Sequence, residues 1–229
     1  MEIELHEFQA SILRELLFKP HARFRDLKKV DVTNDHFTFH VNRLIKEGLI
    51  LKDTAGYSLT DKGKEFANRL DTFSLEIEKQ AKVAVALHAI RKIKDKTEYL
   101  VHQRLKEPFF GWYGSHSGKI KWGEKPLDAA KREFYEETGL EGDFTLKGIV
   151  NVKHTHKDGR FLEDKYFWVY RIEHVKGVLK EVVEEGKNIW MSANEYKQRH
   201  TFATFEEMVE VIDSKDFKYY EREWVVDSY

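Results

Sequence analysis

The stretch that decides the fold runs Gly118-Lys119-Ile120-Lys121-Trp122-Gly123-Glu124, then Lys125-Pro126-Leu127-Asp128-Ala129-Ala130-Lys131, then Arg132-Glu133-Phe134-Tyr135-Glu136-Glu137-Thr138-Gly139-Leu140. Its middle reads as a helix. Pro126 suits a first helical turn, where its missing N–H costs nothing. Asp128 lies near the positive end of the helix dipole. Ala129 and Ala130 favour helix and permit close packing, and Gly139 supplies the stop. Glu133, Glu136 and Glu137 stand at i, i+3 and i+4, so they project from one face. Three carboxylates that close repel one another. A divalent cation removes that cost, and hard oxygen ligands suit Mg²⁺ or Mn²⁺. Taken alone, the glutamates also fit a plain solvated acidic face.

The whole string resembles the Nudix box at Gly118, Glu124, Arg132, Glu133, Phe134, Glu136, Glu137, Gly139 and Leu140. The resemblance covers residues 81–199. It implies a loop–helix–loop against a mixed sheet in an α/β/α sandwich. It also implies Mg²⁺-dependent hydrolysis of a nucleoside diphosphate linked to a further group. By position it makes Glu133, Glu136 and Glu137 metal ligands, with the Ser117 carbonyl adding another. It makes Glu124 and Arg132 the residues that orient the glutamates. The general base varies among relatives. Candidates are Glu136 and the distal pair Glu184 and Glu185, which is also a source of an extra metal ligand. His116-Ser117 stand where relatives usually carry Pro-Gly. A loop histidine there is read as exposed or as a phosphate contact.

Two further groups carry open alternatives. His154 and His156 flank Thr155; on a strand they share a face as a metal pair, and otherwise they are loop polarity before Asp158-Gly159. Phe109, Phe110, Trp112 and Tyr113 are either a stacking platform for a base or core.

Ahead of this region the texture differs. Phe8, Ile12, Leu13, Leu16 and Leu17 recur at helical spacing within 6–19, and residues 24–30 suit a second helix. A third, capped by Thr33 or Asn34, would bury Phe37, Val41, Leu44 and Ile45. Two short strands and a helix from Thr60 follow. The pattern Asn42-Arg43-Leu44-Ile45-Lys46-Glu47-Gly48-Leu49-Ile50, then Tyr57-Ser58-Leu59-Thr60-Asp61-Lys62-Gly63, resembles bacterial winged-helix regulators of the MarR and ArsR type. The expected fold class is therefore α+β: a winged helix-turn-helix domain at 1–72, a linker at 73–80, and a Nudix domain at 81–229 with a C-terminal helical extension. Within the latter, strands are expected at 144–152, 165–171 and 188–191, and helices at 193–199 and 205–214.

Residues 14–52 hold nine Lys/Arg and five Asp/Glu, while residues 1–72 hold twelve of each. The exposed face of the third helix carries Thr38, Asn42, Arg43 and Lys46, the candidate contacts to double-stranded DNA, with Phe39 among them. A dimerisation or protein-contact role for this domain is the other reading.

The 229 residues carry 39 basic and 40 acidic side chains, so no global field steers the chain to nucleic acid or membrane. Zero cysteines excludes disulfides and thiolate metal sites. Aromatics at 14% supply a core and argue against disorder. Residues 1–10, with Glu2, Glu4 and Glu7, lack the basic start and apolar run of a secretory signal, so a cytoplasmic location without membrane attachment is expected. Expected partners are a nucleoside diphosphate derivative, DNA, and a second copy in a homodimer. Two functions stand side by side: a hydrolase with a winged-helix appendage, and a nucleotide-sensing transcriptional regulator whose Nudix domain is the effector module.

Overall fold

The structure, a computed structural model, describes residues 5–71, 73–75 and 79–227. The chain divides into two compact units, residues 1–79 and 80–229. The linker expected at 73–80 falls partly outside the described residues. No helix among the described residues is long and apolar enough to cross a membrane.

The first unit runs α1 (Glu7–Phe18), α2 (Phe24–Leu27), α3 (Asn34–Lys46), β1 (Ile50–Lys52), β2 (Tyr57–Leu59) and α4 (Asp61–Ala67). Local chemistry sets the starts. Thr33 Oγ1 accepts from the His36 N–H at 3.3 Å, and Thr60 Oγ1 from the Gly63 N–H at 2.9 Å, each satisfying an orphan donor of a first turn. Asp53 Oδ1 accepts from the Ala55 and Gly56 N–H groups and shapes the hairpin turn. The core joins Ile12, Leu13 and Leu16 of α1 to Phe37, Val41 and Leu44 of α3. One expectation is corrected: Ile45 is exposed, and His40 takes its place in the buried stripe. His40 lies against the rings of His6, Phe8 and His36, which shield it where an alkyl chain was expected.

The second unit runs β3 (Lys82–Ile93), β4 (Lys96–Arg104), β5 (Tyr113–Gly114), β6 (His116–Lys119), α5 (Pro126–Thr138), β7 (Leu140–His156), β8 (Phe161–Gly177), β9 (Val182–Val183), β10 (Gly186–Ser192), α6 (Ala193–Lys197), α7 (Phe205–Ile212) and β11 (Lys218–Val226). The sheet order is β11-β7-β8-β3-β4-β10-β9, with β5 beside β4 and β6 beside β3. It is mixed: β3–β8 and β11–β7 are parallel, the other pairs antiparallel. Both faces are covered. On one, Val85, Leu87 and Leu100 pack on Ala129, Ala130 and Phe134 of α5. On the other, Ala86, Ile90 and Val101 pack on Tyr196, Met208, Val211 and Ile212. This explains why β3 is apolar at consecutive positions. Burying a side chain such as Phe134, which is fully inaccessible, contributes about 1.5–3 kcal/mol.

Two expectations change here. The C-terminal extension is not helical throughout, because residues 218–226 form β11, whose aromatic and β-branched residues suit a strand. The strands expected at 144–152 and 165–171 each extend to 17 residues.

Candidate active site

Helix α5 and the loop before it form one end of the site. Pro126 opens the helix, and Gly139, at φ 72°, closes it. Arg132 organises the carboxylates. Its Nε and Nη2 donate to both oxygens of Glu124 at 2.7 and 2.8 Å. Its Nη1 donates to Glu133 at 2.6 Å and Glu136 at 3.2 Å. Planar bidentate geometry makes this a strong contact. Glu124 also accepts from the Lys121 N–H at 2.9 Å. The Arg132 guanidinium and that N–H hold the Glu124 carboxyl down to about 2. Gly118 lies under Glu133: a Cβ there would stand 2.0–2.3 Å from Glu133 side-chain atoms.

Glu137 behaves differently. Burial, with the charges of Glu133, Glu185 and Glu136, pushes its carboxyl up to about 8, against a pull from Arg104. A carboxylate destabilised by its neighbours in this way matches the hard oxygen donor set of a divalent cation. The cage is not ready-made: among the described residues no three acidic, His or Cys side chains already converge as a metal site. Arg132 occupies part of the donor set.

Glu133, Glu137, Ser117 and Gly118 face a cavity of about 860 Å³. Of the distal pair, Glu185 lines this cavity and pairs with Lys106, whereas Glu184 is exposed and outside it. The Glu136 side chain is 57% exposed. In the first unit, Asn42, Arg43 and Lys46 are exposed on α3 and Thr38 is half-buried.

His116 is corrected: it lies on strand β6, is 1% exposed, and its Nε2 stands 2.9 Å from Asn188 Oδ1. The strand places it beneath α5, against Phe134, rather than in an open loop. His154 and His156 lie on β7, not in a loop, and are engaged separately. His154 is buried 3.5 Å from Glu163, and His156 pairs with Asp158 at 2.9 Å. Of the aromatics, Phe109 is buried and lines the cavity, while Phe110 is exposed. Trp112 packs on His200 with ring centroids 3.9 Å apart, and Tyr113 lies under Arg199.

Sequence reasoning missed several cavity residues. His102, Arg104 and Lys106 line the cavity, and Asn188 stands behind His102; they come together only through the β4–β10 pairing and the loop after β4. The cavity is also lined by Lys82, Lys165, Glu163, Tyr220 and Trp224, and only strand pairing brings these together.

The NUDIX domain family model matches residues 82–210, and the chain belongs to the Nudix family. Its second unit is a Nudix hydrolase domain. A MutT protein from Bacillus halodurans is similar in fold, at 23% identity and TM-score 0.53, over 65% of this chain and 93% of that one. So is the NUDIX domain of Shewanella oneidensis NrtR complexed with ADP ribose, at 15% identity and TM-score 0.50, over 66% of this chain and 95% of that one.

Proposed function

We propose that the second unit is a Mg²⁺-dependent pyrophosphohydrolase that cleaves the diphosphate of a nucleoside diphosphate linked to a second group. One observation carries this: Glu133, Glu137 and Glu185 all line a single cavity of about 860 Å³, which Phe109, His154 and Trp224 line as well. Glu133, Glu136 and Glu137, with the Ser117 carbonyl, would hold Mg²⁺ or Mn²⁺, and Glu185 would add a carboxylate. When bound, the ion neutralises the diphosphate and acidifies the attacking water. Arg132, anchored by Glu124, sets the side chains of Glu133 and Glu136. Arg104, Lys106 and Lys119 meet the charge of the phosphates. Phe109, His154 and Trp224 form the aromatic wall suited to a base.

The test is hydrolysis in Mg²⁺ of four compounds: ADP-ribose, UDP-glucose, diadenosine tetraphosphate and dGTP. ADP-ribose stands first because the NrtR domain was solved with it. Cleavage within the diphosphate, lost in Glu137→Gln, is the expected result. No turnover of any of the four would remove the reading.

A second reading concerns the first unit. The order helix, helix, helix, hairpin, helix supports a winged helix-turn-helix that places α3 against double-stranded DNA, with Thr38, Asn42, Arg43 and Lys46 as contacts. If so, the second unit's ligand would bias DNA affinity and DNA would bias ligand affinity by the same factor. Selection of duplexes from a random pool at low salt, with and without ADP-ribose, tests this. Retention of no duplex would reduce the unit to a protein-contact module.

A further inference from the structure

Asn188 on β10 stands directly across from His102 on β4 in their antiparallel pairing. Its side chain is buried and fully bonded. The amide nitrogen donates to the Glu137 carbonyl at 2.8 Å and to the Lys180 carbonyl at 2.7 Å. These two acceptors fix the amide, because a flipped one would set oxygen against oxygen. Oδ1 therefore faces both His102 Nδ1, at 3.1 Å, and His116 Nε2, at 2.9 Å. An amide oxygen only accepts, so both imidazoles donate to it.

Each neutral ring then carries its proton on the nitrogen facing Asn188 and a bare lone pair on the other. In His116 that second nitrogen is buried without a hydrogen-bond partner, and burial pushes the ring's pKa down to about 3. This histidine stays neutral and structural. His102 differs because it lines the cavity together with Glu137 and Glu185. Its Cε1–Nε2 edge lies beside Gly186, where a Cβ would stand 2.5 Å from both atoms. A side chain at 186 would collide with that edge. Of the carboxylates that line the cavity, Glu133 is engaged by Arg132 and Glu185 by Lys106.

We propose that His102 Nε2 accepts the proton of the water that attacks the diphosphate, and that Asn188 is the positioning residue that keeps His102 in the accepting tautomer. This rests on the pyrophosphohydrolase reading above. In the step, the water oxygen bonds to phosphorus and the bridging P–O bond breaks. The bond's electron pair leaves with the departing phosphate. The water proton passes to Nε2, and the imidazolium then returns it to solvent. Glu185 shares the cavity with His102 and carries the opposite charge to that imidazolium.

The test uses the full chain in Mg²⁺ and whichever of the four compounds the parent hydrolyses fastest. In His102→Gln, kcat should fall about 10²–10⁴-fold, with KM within about threefold and the melting temperature unchanged. Nitrogen-15 spectra of the metal-free, histidine-labelled parent at pH 8 should show His102 protonated at Nδ1. Asn188→Ala should lose that preference. A His102→Gln protein within about threefold of parental kcat, beside an inactive Glu137→Gln protein, overturns the assignment and leaves the hydrolase reading standing. An Nε2-protonated His102 in the parent overturns it as well. Parental turnover by Glu137→Gln would instead take down the reading beneath it.

Discussion

In chelator, Glu137→Gln should stabilise the protein, and the gain should grow with pH. Burial and the charges of Glu133, Glu185 and Glu136 raise this carboxyl from 4.5 to about 8. Each tenfold change in proton affinity is worth about 1.4 kcal/mol, so the full difference corresponds to about 5 kcal/mol. Water at the cavity mouth screens part of it, leaving about 2–3 kcal/mol. The folded state holds this proton more tightly than the unfolded chain does. Glu137 therefore costs nothing below about pH 4.5, costs progressively more as pH rises, and reaches its full penalty above about pH 8. Glutamine keeps the shape and carries no such proton. In EDTA the two proteins should melt together near pH 4.5. At pH 8.5 the variant should melt about 4–12 °C higher, since about 1 kcal/mol moves a chain of this size by about 2–4 °C. Saturating Mg²⁺ should reverse the order, because binding to the folded state stabilises the parent alone. In Mg²⁺ the variant should also turn over about 10²–10³-fold more slowly. A variant melting at or below the parent at pH 8.5 in EDTA, or a gap that ignores pH, would refute the argument.

Three further outcomes test other parts of the molecule. Gly118→Ala should displace Glu133, since the new Cβ would stand 2.0 Å from its carboxyl carbon; turnover should drop about 10–100-fold while the melting temperature in EDTA holds within a few degrees. Glu163→Gln should destabilise by about 1–3 kcal/mol at pH 7 in urea titration, because it strands Lys82 and Lys165. Burial pushes the Glu163 carboxyl up, but His154, Lys165 and Lys82 outweigh it and hold it below its ordinary 4.5; the loss should therefore shrink as pH falls below that value, and a pH-independent loss would contradict the ion pairs. Arg43→Ala should weaken a selected duplex by about 1–3 kcal/mol if it reads a base, measured by fluorescence anisotropy across a salt series; parental affinity would remove Arg43 from the interface.

What the sequence made legible was local. The bounds of α5 follow from Pro126 and Gly139, and the one-face placement of the glutamates follows from helical spacing alone. The lengths of β7 and β8 were not legible, because their outer turns are polar. Lys153 and Asp164, and His154 and Glu163, stand opposite each other, so polar residues that look like loop when read singly are cross-strand neighbours in the ladder. Asn188 gave no signal at all: its four partners come from β4, β6, the end of α5 and the segment before β9. His40 was read past for a related reason, since the rings that shield it come partly from α1.

The pairing of β11 with β7 has a consequence for the order in which the chain can be finished. Each partner in that ladder lies 70 residues from the other, from Gly148 and Lys218 to His156 and Val226. During synthesis, β7 and β8 can pair long before residues 218–226 exist. Until then residues 148–156 present an open row of backbone donors and acceptors, a ready template for a strand of another molecule. The last strand is thus a hem as well as a structural element: a chain cut short before Lys218 would keep every carboxylate of α5 yet expose the border of its longest hairpin to self-association.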